Sequence, residues 1–216
     1  MKVSLNKKIL DKNEECALQN RALFHKIGTF CANVISSPGS GKTTLLARTI
    51  TDLWGRLRIG VIEGDIRTDT DAQKIRATGA PAVQIETKGS CHLSAEQITR
   101  ALGSIDAAIL DVLFVENVGN LVCPSAFDLG EQSRVVVLSL PEGDDKPIKY
   151  PGTFAKADVL LINKIDLAGH VDFDIERVIR HVRTLRPDIA IFQVSAKTGQ
   201  GMEGWYDWLK NKTDRL

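Results

Sequence analysis

A glycine-rich turn set between an apolar run and a helix-forming run constrains this chain more than any other feature. The turn spans residues 36–44 (SSPGSGKTT), after the run CANVI and before the run LLAR. Gly39 and Gly41 carry no Cβ, so the backbone can bend around a phosphate and point its N–H groups inward. The following helix directs its positive end at the same anion. The segment predicts a phosphate-binding loop, with Ser36 where this pattern usually has glycine.

The predicted loop gives a role to each group that would reach a nucleotide. Lys42 would contact the β- and γ-phosphates, and the Thr43 hydroxyl would hold a magnesium ion. The other predicted nucleotide contacts in the loop are Gly39, Ser40, Gly41 and Thr44. The alternative is an ordinary glycine-rich turn that only caps a helix. The apolar strand before it and the helix after it favour the phosphate loop.

Predicted strands and helices alternate along all 216 residues without an internal repeat. This alternation predicts an α/β fold in which a mostly parallel sheet is covered on both faces, a doubly wound, three-layer P-loop NTPase. We expect residues 1–216 to form a single domain. Every candidate functional residue directly follows a predicted strand, which places the site at the carboxyl ends of the strands.

Composition narrows the class of protein. The net charge is +1, which gives no extended electrostatic footprint for nucleic acid or a membrane surface. No apolar stretch approaches the roughly 18 residues that a membrane-spanning helix requires, and the first residues lack the apolar core of a signal peptide. We therefore expect a cytoplasmic protein without nucleic-acid or membrane partners. Its cysteines are then thiols or metal ligands, with Cys16 and Cys31 expected to be small buried hydrophobes.

Several further stretches carry predictions about local structure. Residues 6–27 predict an amphipathic helix, packed on the side of the sheet or, alternatively, binding a partner. The apolar run 107–115 predicts a long central strand. Ser94 predicts the start of a helix, because Gln97 three residues later completes a capping box. Residues 141–153, which include three prolines, predict a loop. Cys123 is also expected in a loop.

A second polar motif indicates which nucleotide binds. Residues 163–166 (NKID) follow a predicted buried strand. The ionised Asp166 carboxylate only accepts hydrogen bonds, and guanine offers two adjacent donors where adenine does not, so GTP is favoured over ATP. Lys164 would lay its stem over the base, and Asn163 would tie two loops together. A backbone contact to the guanine oxygen is expected from the segment after the last strand, Ser195, Ala196 and Lys197.

Two other strand ends predict the magnesium ligands and the loops that sense the γ-phosphate. Glu116 precedes Gly119 by three residues, where Ras-like GTPases have an Asp-x-x-Gly motif. We expect Glu116 to contact magnesium through water and the Gly119 N–H to sense the γ-phosphate. Asp65 and Asp71 lie in the other candidate switch.

The acidic residues of that switch have alternative roles. Asp65 follows a strand and is favoured as a ligand of metal or water. Asp71 is either a magnesium ligand or a solvated helix cap, and Asp69 is favoured as a cap. The predicted magnesium site therefore comprises Thr43, Asp65, Asp71 and Glu116, and the predicted catalytic groups are Lys42, Asp65 and Glu116.

Cysteine and histidine predict a second metal site. Cys91 and His92 lie on a loop directly before a predicted helix, whose N-terminus favours a thiolate. Cys123 lies seven residues after Glu116, on the loop that leaves a candidate switch. Thiolate and imidazole suit nickel or zinc, and three ligands leave a position for water or for a second copy of the chain. The alternative is that these three residues bind no metal.

Five segments together resemble the HypB family, the nickel-insertion GTPases of [NiFe]-hydrogenase maturation. They are residues 64–66 (GDI), 89–93 (GSCHL), 116–124 (ENVGNLVCP), 142–145 (EGDD) and 163–166 (NKID). The resemblance covers roughly residues 20–212, and the segment 116–124 is its most specific part. UreG, the GTPase of urease maturation, is similar in fold but has a Cys-Pro-His motif. Here Cys91 and His92 are adjacent, which favours HypB.

The resemblance implies a SIMIBI-class fold, GTP-promoted homodimerisation, and a nickel or zinc site at the dimer interface on Cys91, His92 and Cys123. It also implies two partners, a HypA-like nickel chaperone and the hydrogenase large-subunit precursor. Two other functions stay open. One is a metal carrier in which the nucleotide is only structural, and the other is a GTPase that serves a different metallo-cofactor enzyme. The cysteine-rich or histidine-rich N-terminal tracts of some family members do not occur in this sequence, so nickel storage is not expected.

Overall fold

The computed structural model describes residues 2–65, 70–87 and 89–214, and strands alternate with helices through these ranges. The strands are β1 (Phe30–Ser36), β2 (Ile59–Asp65), β3 (Ala82–Glu86), β4 (Val112–Glu116), β5 (Ser133–Ser139), β6 (Val159–Asn163) and β7 (Ala190–Gln193). The helices are α1 (Lys2–Ile27), α2 (Lys42–Asp52), α3 (Thr70–Arg76), α4 (Ala95–Ala101), α5 (Cys123–Ala126), α6 (Lys146–Lys149), α7 (Pro151–Ala155), α8 (Ile175–Leu185) and α9 (Met202–Thr213).

The seven described strands form one sheet in the order β3-β2-β4-β1-β5-β6-β7, and every described pair is parallel. The central position of β1 means that the chain winds outward from it in both directions. The carboxyl end of β1 is therefore a topological switch point, where parallel sheets open a crevice for ligands. The predicted α/β fold class is confirmed.

Alternate strand residues pack against helices on opposite faces of the sheet. On one face, Val34 of β1 and Phe114 of β4 belong to a buried cluster with Leu45 of α2 and Trp205 of α9. On the other face, the strands pack against α8 and α7 at one end and against α1 and α4 at the other. Burial on both faces accounts for the nearly continuous apolar runs of the central strands, as expected for a parallel sheet. Of the described helices, none is both long and apolar enough to cross a lipid bilayer.

Helix α1 begins four residues before the predicted start at residue 6 and lies against the rest of the domain. Asn20, which is buried, donates its side-chain N–H groups to the carbonyl oxygens of Ala95 (2.9 Å) and Leu129 (3.0 Å). Gly130 has φ +92°, and a Cβ there would lie 2.6 Å from the Ala17 carbonyl oxygen. The helix is therefore packed on the side of the sheet, as one of its two interpretations predicted.

The predicted strand at 107–115 is wrong in its first half. Ala107–Ile109 forms a 3₁₀ turn, and the strand covers only Val112–Glu116. The buried Thr29 hydroxyl lies 2.7 Å from the Ala107 carbonyl oxygen and 3.1 Å from that of Leu110, which holds these residues in a turn. In this turn Ala107 is buried, whereas Ala108 and Ile109 are exposed. Apolar composition alone does not separate such a turn from a strand.

The predicted loops at 141–153 and around Cys123 are also wrong, because both contain short helices. Pro124, Pro147 and Pro151 each occupy the first turn of such a helix. Proline is favoured there because the first turn needs no backbone N–H donor. The capping box at Ser94 is confirmed, since its side chain accepts a hydrogen bond from the Gln97 backbone N–H and the Gln97 side chain bonds in return.

Candidate functional site

The turn between β1 and α2 has the geometry of a phosphate loop. Gly39 has φ +76° and Gly41 φ +95°, conformations that L side chains rarely adopt. A Cβ on Gly41 would lie 2.7 Å from the Asn163 side-chain nitrogen. The Ser36 hydroxyl oxygen accepts hydrogen bonds from Lys42 Nζ (2.9 Å) and Ser40 Oγ (2.5 Å). The serine that departs from the usual glycine therefore positions the loop lysine.

A cleft of about 510 Å³ opens at the carboxyl ends of the strands. It combines the phosphate loop, the ends of β2 and β4 and the first turn of α3. Its lining residues are Pro38, Gly39, Gly41, Lys42, Thr43, Thr44, Glu63, Gly64, Asp71, Lys74, Glu116, Asn117, Val118, Gly119 and Lys164. Its volume lies in the range of ordinary small-molecule sites.

The NKID motif is bonded to the phosphate loop. Asn163 donates from Nδ2 to the Ser40 carbonyl oxygen (2.9 Å) and accepts at Oδ1 from the Ala196 N–H (3.1 Å), so its side chain joins two loops. Lys164 donates from Nζ to the Gly39 carbonyl oxygen (2.6 Å). Its φ of +63° is left-handed, which is uncommon for a residue with a Cβ and is typical of functional sites.

The segment after β7 holds Asp166. The buried Ser195 hydroxyl lies 2.5 Å from Asp166 Oδ1 and also accepts a hydrogen bond from the Thr198 N–H (3.1 Å). This hydrogen bond fixes one carboxylate oxygen of Asp166 and orients the group. Lys197 is exposed. The structure therefore brings together the two segments from which sequence predicted guanine recognition, and it adds a positioning role for the serine hydroxyl.

Carboxylates from β2 and β4 meet beside the loop threonine. Glu116 accepts at Oε1 from the Thr43 hydroxyl (2.8 Å). Glu63 stands opposite Glu116 in the register of the two strands. Together with Asp71, these glutamates form a group whose ligand oxygens all lie within 4.8 Å of one another. Sequence reasoning missed Glu63, although its position at the end of a buried strand could have indicated it.

The electrostatics of this group fit a divalent cation. Burial and, next, the neighbouring Glu116 carboxylate together raise the pKa of Glu63 to about 10. Burial also raises the pKa of Glu116, while Lys42 opposes that shift. One oxygen of each glutamate, Oε2, is buried without a hydrogen-bond partner. Magnesium prefers such oxygen ligands, so the residues present suit this ion.

The second candidate switch is described in part. Asp71 lies in the first turn of α3, where it pairs with Lys74 (2.7 Å) and reaches the carboxylate group. The side chain of Asp65 and the whole of Asp69 lie outside the described residues. The backbone at Gly119 runs close to the phosphate loop, since a Cβ there would lie 3.1 Å from Pro38 Cα. Gly119 therefore occupies the cleft wall where a γ-phosphate sensor was predicted.

The predicted nickel or zinc ligands are neighbours in space. Sγ of Cys91 lies 3.6 Å from Nδ1 of His92, and a hydrogen bond with Cys123, in which the Cys91 thiol is the donor, raises the pKa of Cys91. The ligand atoms of Cys91, His92 and Cys123 do not all lie within 4.8 Å of one another, unlike those of the three carboxylates, so these side chains are neighbours that the structure does not bring into one ligand set. The His92 ring stacks on Phe127, with ring centroids 3.8 Å apart, and its partial burial lowers its pKa. Neutral imidazole is the form that binds metals.

The other two cysteines lie elsewhere. Cys31 is buried in β1, and burial raises its pKa well above the usual value. It is therefore a small buried hydrophobe, as predicted. Cys16 is only partly buried on α1, so full burial was wrong for this residue. Its neighbours Asp11 and Lys12 on the same helix are exposed, which shows that this part of α1 borders solvent.

Comparisons with known proteins agree with this geometry. The family described as CobW/HypB/UreG, nucleotide-binding domain, matches residues 31–193. A hydrogenase maturation factor HypB from Azotobacter vinelandii is 52% identical over 94% of this chain and 67% of its own. A hydrogenase/urease maturation factor HypB from Helicobacter hepaticus is 38% identical over 97% of this chain and 88% of its own.

One solved structure extends the comparison to three dimensions. The crystal structure of HypB from Helicobacter pylori in complex with nickel superimposes with a TM-score of 0.89. It is 38% identical in sequence, and the match covers 94% of this chain and 96% of that one. The agreement therefore extends over nearly the whole length of both chains.

Proposed function

The chain belongs to the HypB hydrogenase maturation factors of the CobW/HypB/UreG family, and we propose that it is a GTPase whose nucleotide state controls nickel delivery to [NiFe]-hydrogenase. The observation that carries the proposal is that the segment from Glu116 to Cys123 connects the Thr43 hydroxyl to the Cys91 thiol. Glu116 accepts a hydrogen bond from Thr43, and the loop that follows it leads in seven residues to Cys123, whose thiol interacts with that of Cys91. A nucleotide-dependent change at Glu116 can therefore alter the geometry of the thiol ligands.

The reaction proposed is GTP + H₂O → GDP + phosphate. Lys42 binds the β- and γ-phosphates, and the backbone N–H groups of Gly39, Ser40, Gly41 and Thr44 surround them. Magnesium held by Thr43, Glu116, Asp71 and Asp65 would neutralise negative charge on the phosphates. The Gly119 N–H contacts the γ-phosphate and so distinguishes GTP from GDP. The NKID motif and the segment Ser195–Lys197 select guanine.

Nickel or zinc is proposed to bind Cys91, His92 and Cys123. These ligands leave one coordination position for water or for the second subunit of a GTP-promoted homodimer. Val122, beside Cys123, is 54% exposed, and burying such an apolar side chain against a partner subunit is favourable. The proposed partners are a HypA-like nickel chaperone as the donor and the hydrogenase large-subunit precursor as the recipient.

Two alternatives predict different behaviour. Urease maturation is a second possible role, because the Helicobacter hepaticus relative is named a hydrogenase/urease maturation factor. A nickel or zinc carrier in which the nucleotide is only structural would bind metal identically with any nucleotide. The hydrogen bond from Thr43 to Glu116 favours the switch over the carrier, because it connects the nucleotide cleft to the segment that bears Cys123.

The test is a nickel and zinc titration with oligomeric state measured in parallel, with GDP and with a non-hydrolysable GTP analogue. We expect the analogue to promote dimerisation and to change the metal affinity, and Cys123→Ala to abolish the metal effect. Cys16→Ala, on a partly buried cysteine of α1, is the matched control. Lys42→Ala should remove the nucleotide response. Equal metal affinity and equal dimerisation with both nucleotides would contradict the switch and support the carrier.

A further inference from the structure

Leu93 is the residue after Cys91 and His92. It contacts residues of β2 and at the end of β4, two of the strands that end in the nucleotide cleft. It is fully buried, and its backbone N–H donates to Asn117 Oδ1 (3.2 Å). Its side chain covers Gly64 so closely that a Cβ on that glycine would lie 2.8 Å from Leu93 Cδ1. Gly64 follows Glu63 in β2, and Asn117 follows Glu116 at the end of β4.

The Asn117 side chain is bonded at both ends. Besides Leu93, its Oδ1 accepts from the Val118 N–H (3.0 Å), and its Nδ2 donates to Asn33 Oδ1 (3.1 Å). The Asn117 backbone N–H also donates to the Val34 carbonyl oxygen (3.0 Å). Because the residue is buried, a broken bond would leave a polar group without a partner, at considerable free-energy cost. The amide therefore has one orientation and fixes the position of the Leu93 backbone.

The same network continues to the helix that bears Cys123. Asn33 donates from Nδ2 to Glu131 Oε1 (3.3 Å), which also accepts from Arg134 Nε (2.7 Å). Arg134 then donates to the carbonyl oxygens of Ser125 (3.1 Å) and Phe127 (3.3 Å), at the end of α5. Each step is a direct hydrogen bond between side chains or from a side chain to backbone.

We propose that Asn117 is a positioning residue that couples the nucleotide cleft to the Cys91–His92 pair. The inference rests on the proposed function and adds a second route to the loop that ends at Cys123. A rearrangement at Glu116 on nucleotide binding moves the adjacent Asn117, and the hydrogen bond to Leu93 moves the metal-binding pair with it. Leu93 also packs tightly on Gly64, which follows Glu63 in β2, and a packed interior transmits displacement, so a rearrangement at Glu63 reaches the same pair. Both parts of the proposed metal site, the Cys91–His92 pair and Cys123, thus respond to the adjacent residues Glu116 and Asn117.

A purely structural role for Asn117 makes a different prediction. Loss of a structural hydrogen bond lowers the stability of the fold and shifts nickel affinity equally with either nucleotide. Loss of a coupling residue changes the ratio between the two affinities. The informative quantity is therefore the nickel Kd with saturating GDP divided by the nickel Kd with a saturating non-hydrolysable GTP analogue, a ratio expected to differ from one by about 5- to 150-fold in the wild type.

The experiment measures this ratio in the full chain for three variants. Asn117→Ala should bring it to within about two-fold of one. Asn117→Asp keeps an oxygen that accepts from the Leu93 N–H but loses the donor to Asn33, so it should retain more of the ratio than Asn117→Ala does. Leu93→Val keeps the backbone bond but shortens the side chain on Gly64, and it should reduce the ratio severalfold. This milder variant serves as the test if Asn117→Ala fails to fold.

Ser94→Ala is the matched control. It removes the cap of α4, one residue beyond Leu93, and is expected to lower stability while leaving the ratio unchanged. If the wild-type ratio differs from one and both Asn117→Ala and Leu93→Val retain it, the inference is overturned and the proposed function stands. A wild-type ratio of one would overturn both.

Discussion

Ser36 illustrates how a single side chain explains a departure from a motif. The phosphate loop has serine where glycine is usual, and the Ser36 hydroxyl oxygen accepts hydrogen bonds from Lys42 and Ser40. Because the residue is fully buried, these bonds satisfy polar groups that would otherwise lack a partner. The substitution therefore keeps the loop compact and holds the lysine beside the cleft.

Asp166 tests guanine recognition. Asp166→Asn replaces an acceptor oxygen with a donor, so we expect GTP affinity to fall on the order of 100-fold. Affinity should rise for xanthosine triphosphate, whose base has a carbonyl oxygen in place of the exocyclic amine. Both affinities are measured by titration calorimetry. The exposed Asp172→Asn serves as the control. Unchanged GTP affinity in Asp166→Asn would rule out this carboxylate as the guanine acceptor.

Glu63 predicts a pH dependence of stability. Burial and the neighbouring Glu116 carboxylate raise its pKa to about 10 in the folded state, above the unfolded value of about 4.3. Its stabilising contribution is therefore complete below the unfolded pKa and is lost as pH rises toward the folded one. We expect the free energy of unfolding of the nucleotide-free, metal-free protein to fall with pH over roughly pH 6 to 9, by at most about 1.4 kcal/mol per pH unit for this group.

The variant Glu63→Gln should flatten that dependence, because glutamine does not ionise. Urea unfolding in chelator at several pH values measures the slope. Glu86→Gln is the matched control, since Glu86 is exposed at the end of the neighbouring strand β3. Equal slopes for Glu63→Gln and the wild type would show that another group carries the pH dependence.

Among the helices and strands, those defined by local sequence were predicted well. The strand, turn and helix around Gly41 and the capping box at Ser94 depend on neighbours in the chain. The strand predicted over residues 107–115 is wrong in its first half because the turn there depends on Thr29, which is 78 residues from Ala107 in the chain. The loop predicted around Pro147 is wrong because proline also occupies the first turn of helices.

The candidate site also has parts that depend on local sequence and parts that depend on distant residues. Its motifs follow individual strands and could be predicted one at a time. The pairing of Glu63 with Glu116 could not, because it depends on β2 lying beside β4. The Asn117–Leu93 bond could not either, because it joins residues that are 24 positions apart in the chain. Periodicity predicts that a strand is buried but does not give its neighbours in the sheet.

Helix α1 is expected to be an integral part of the domain. Asn20→Ala would leave two buried carbonyl oxygens, of Ala95 and Leu129, without this donor, so we expect a loss of about 1–3 kcal/mol in the free energy of unfolding. Leu18→Ala on the same helix is the control, because that side chain is 63% exposed and its loss should cost under about 0.5 kcal/mol. Chemical denaturation measures both. Equal effects would mean that Asn20 does not anchor the helix.

The whole molecule combines both halves of the sheet in one nucleotide site. The phosphate loop follows the central strand β1, the carboxylates follow β2 and β4 on one side, and Asn163 follows β6 on the other. The bond from Asn163 to the Ser40 carbonyl oxygen connects the two halves at the cleft. A nucleotide that contacts all of these segments should therefore stabilise the sheet as one unit, as expected if residues 1–216 form a single domain.

Unfolding with and without GDP tests this expectation. Because binding to the folded state alone stabilises it by mass action, GDP at about 100 times its Kd should raise the free energy of unfolding by about 2.7 kcal/mol. Tryptophan fluorescence reports largely on α9, which contains Trp205 and Trp208, and far-ultraviolet circular dichroism reports on all helices and strands. A single cooperative unit requires both signals to change in one transition and to shift equally with GDP. Lys42→Ala should abolish the shift. Two separate transitions, or a shift in one signal only, would mean that the halves of the sheet unfold independently and that the nucleotide stabilises only the part it contacts.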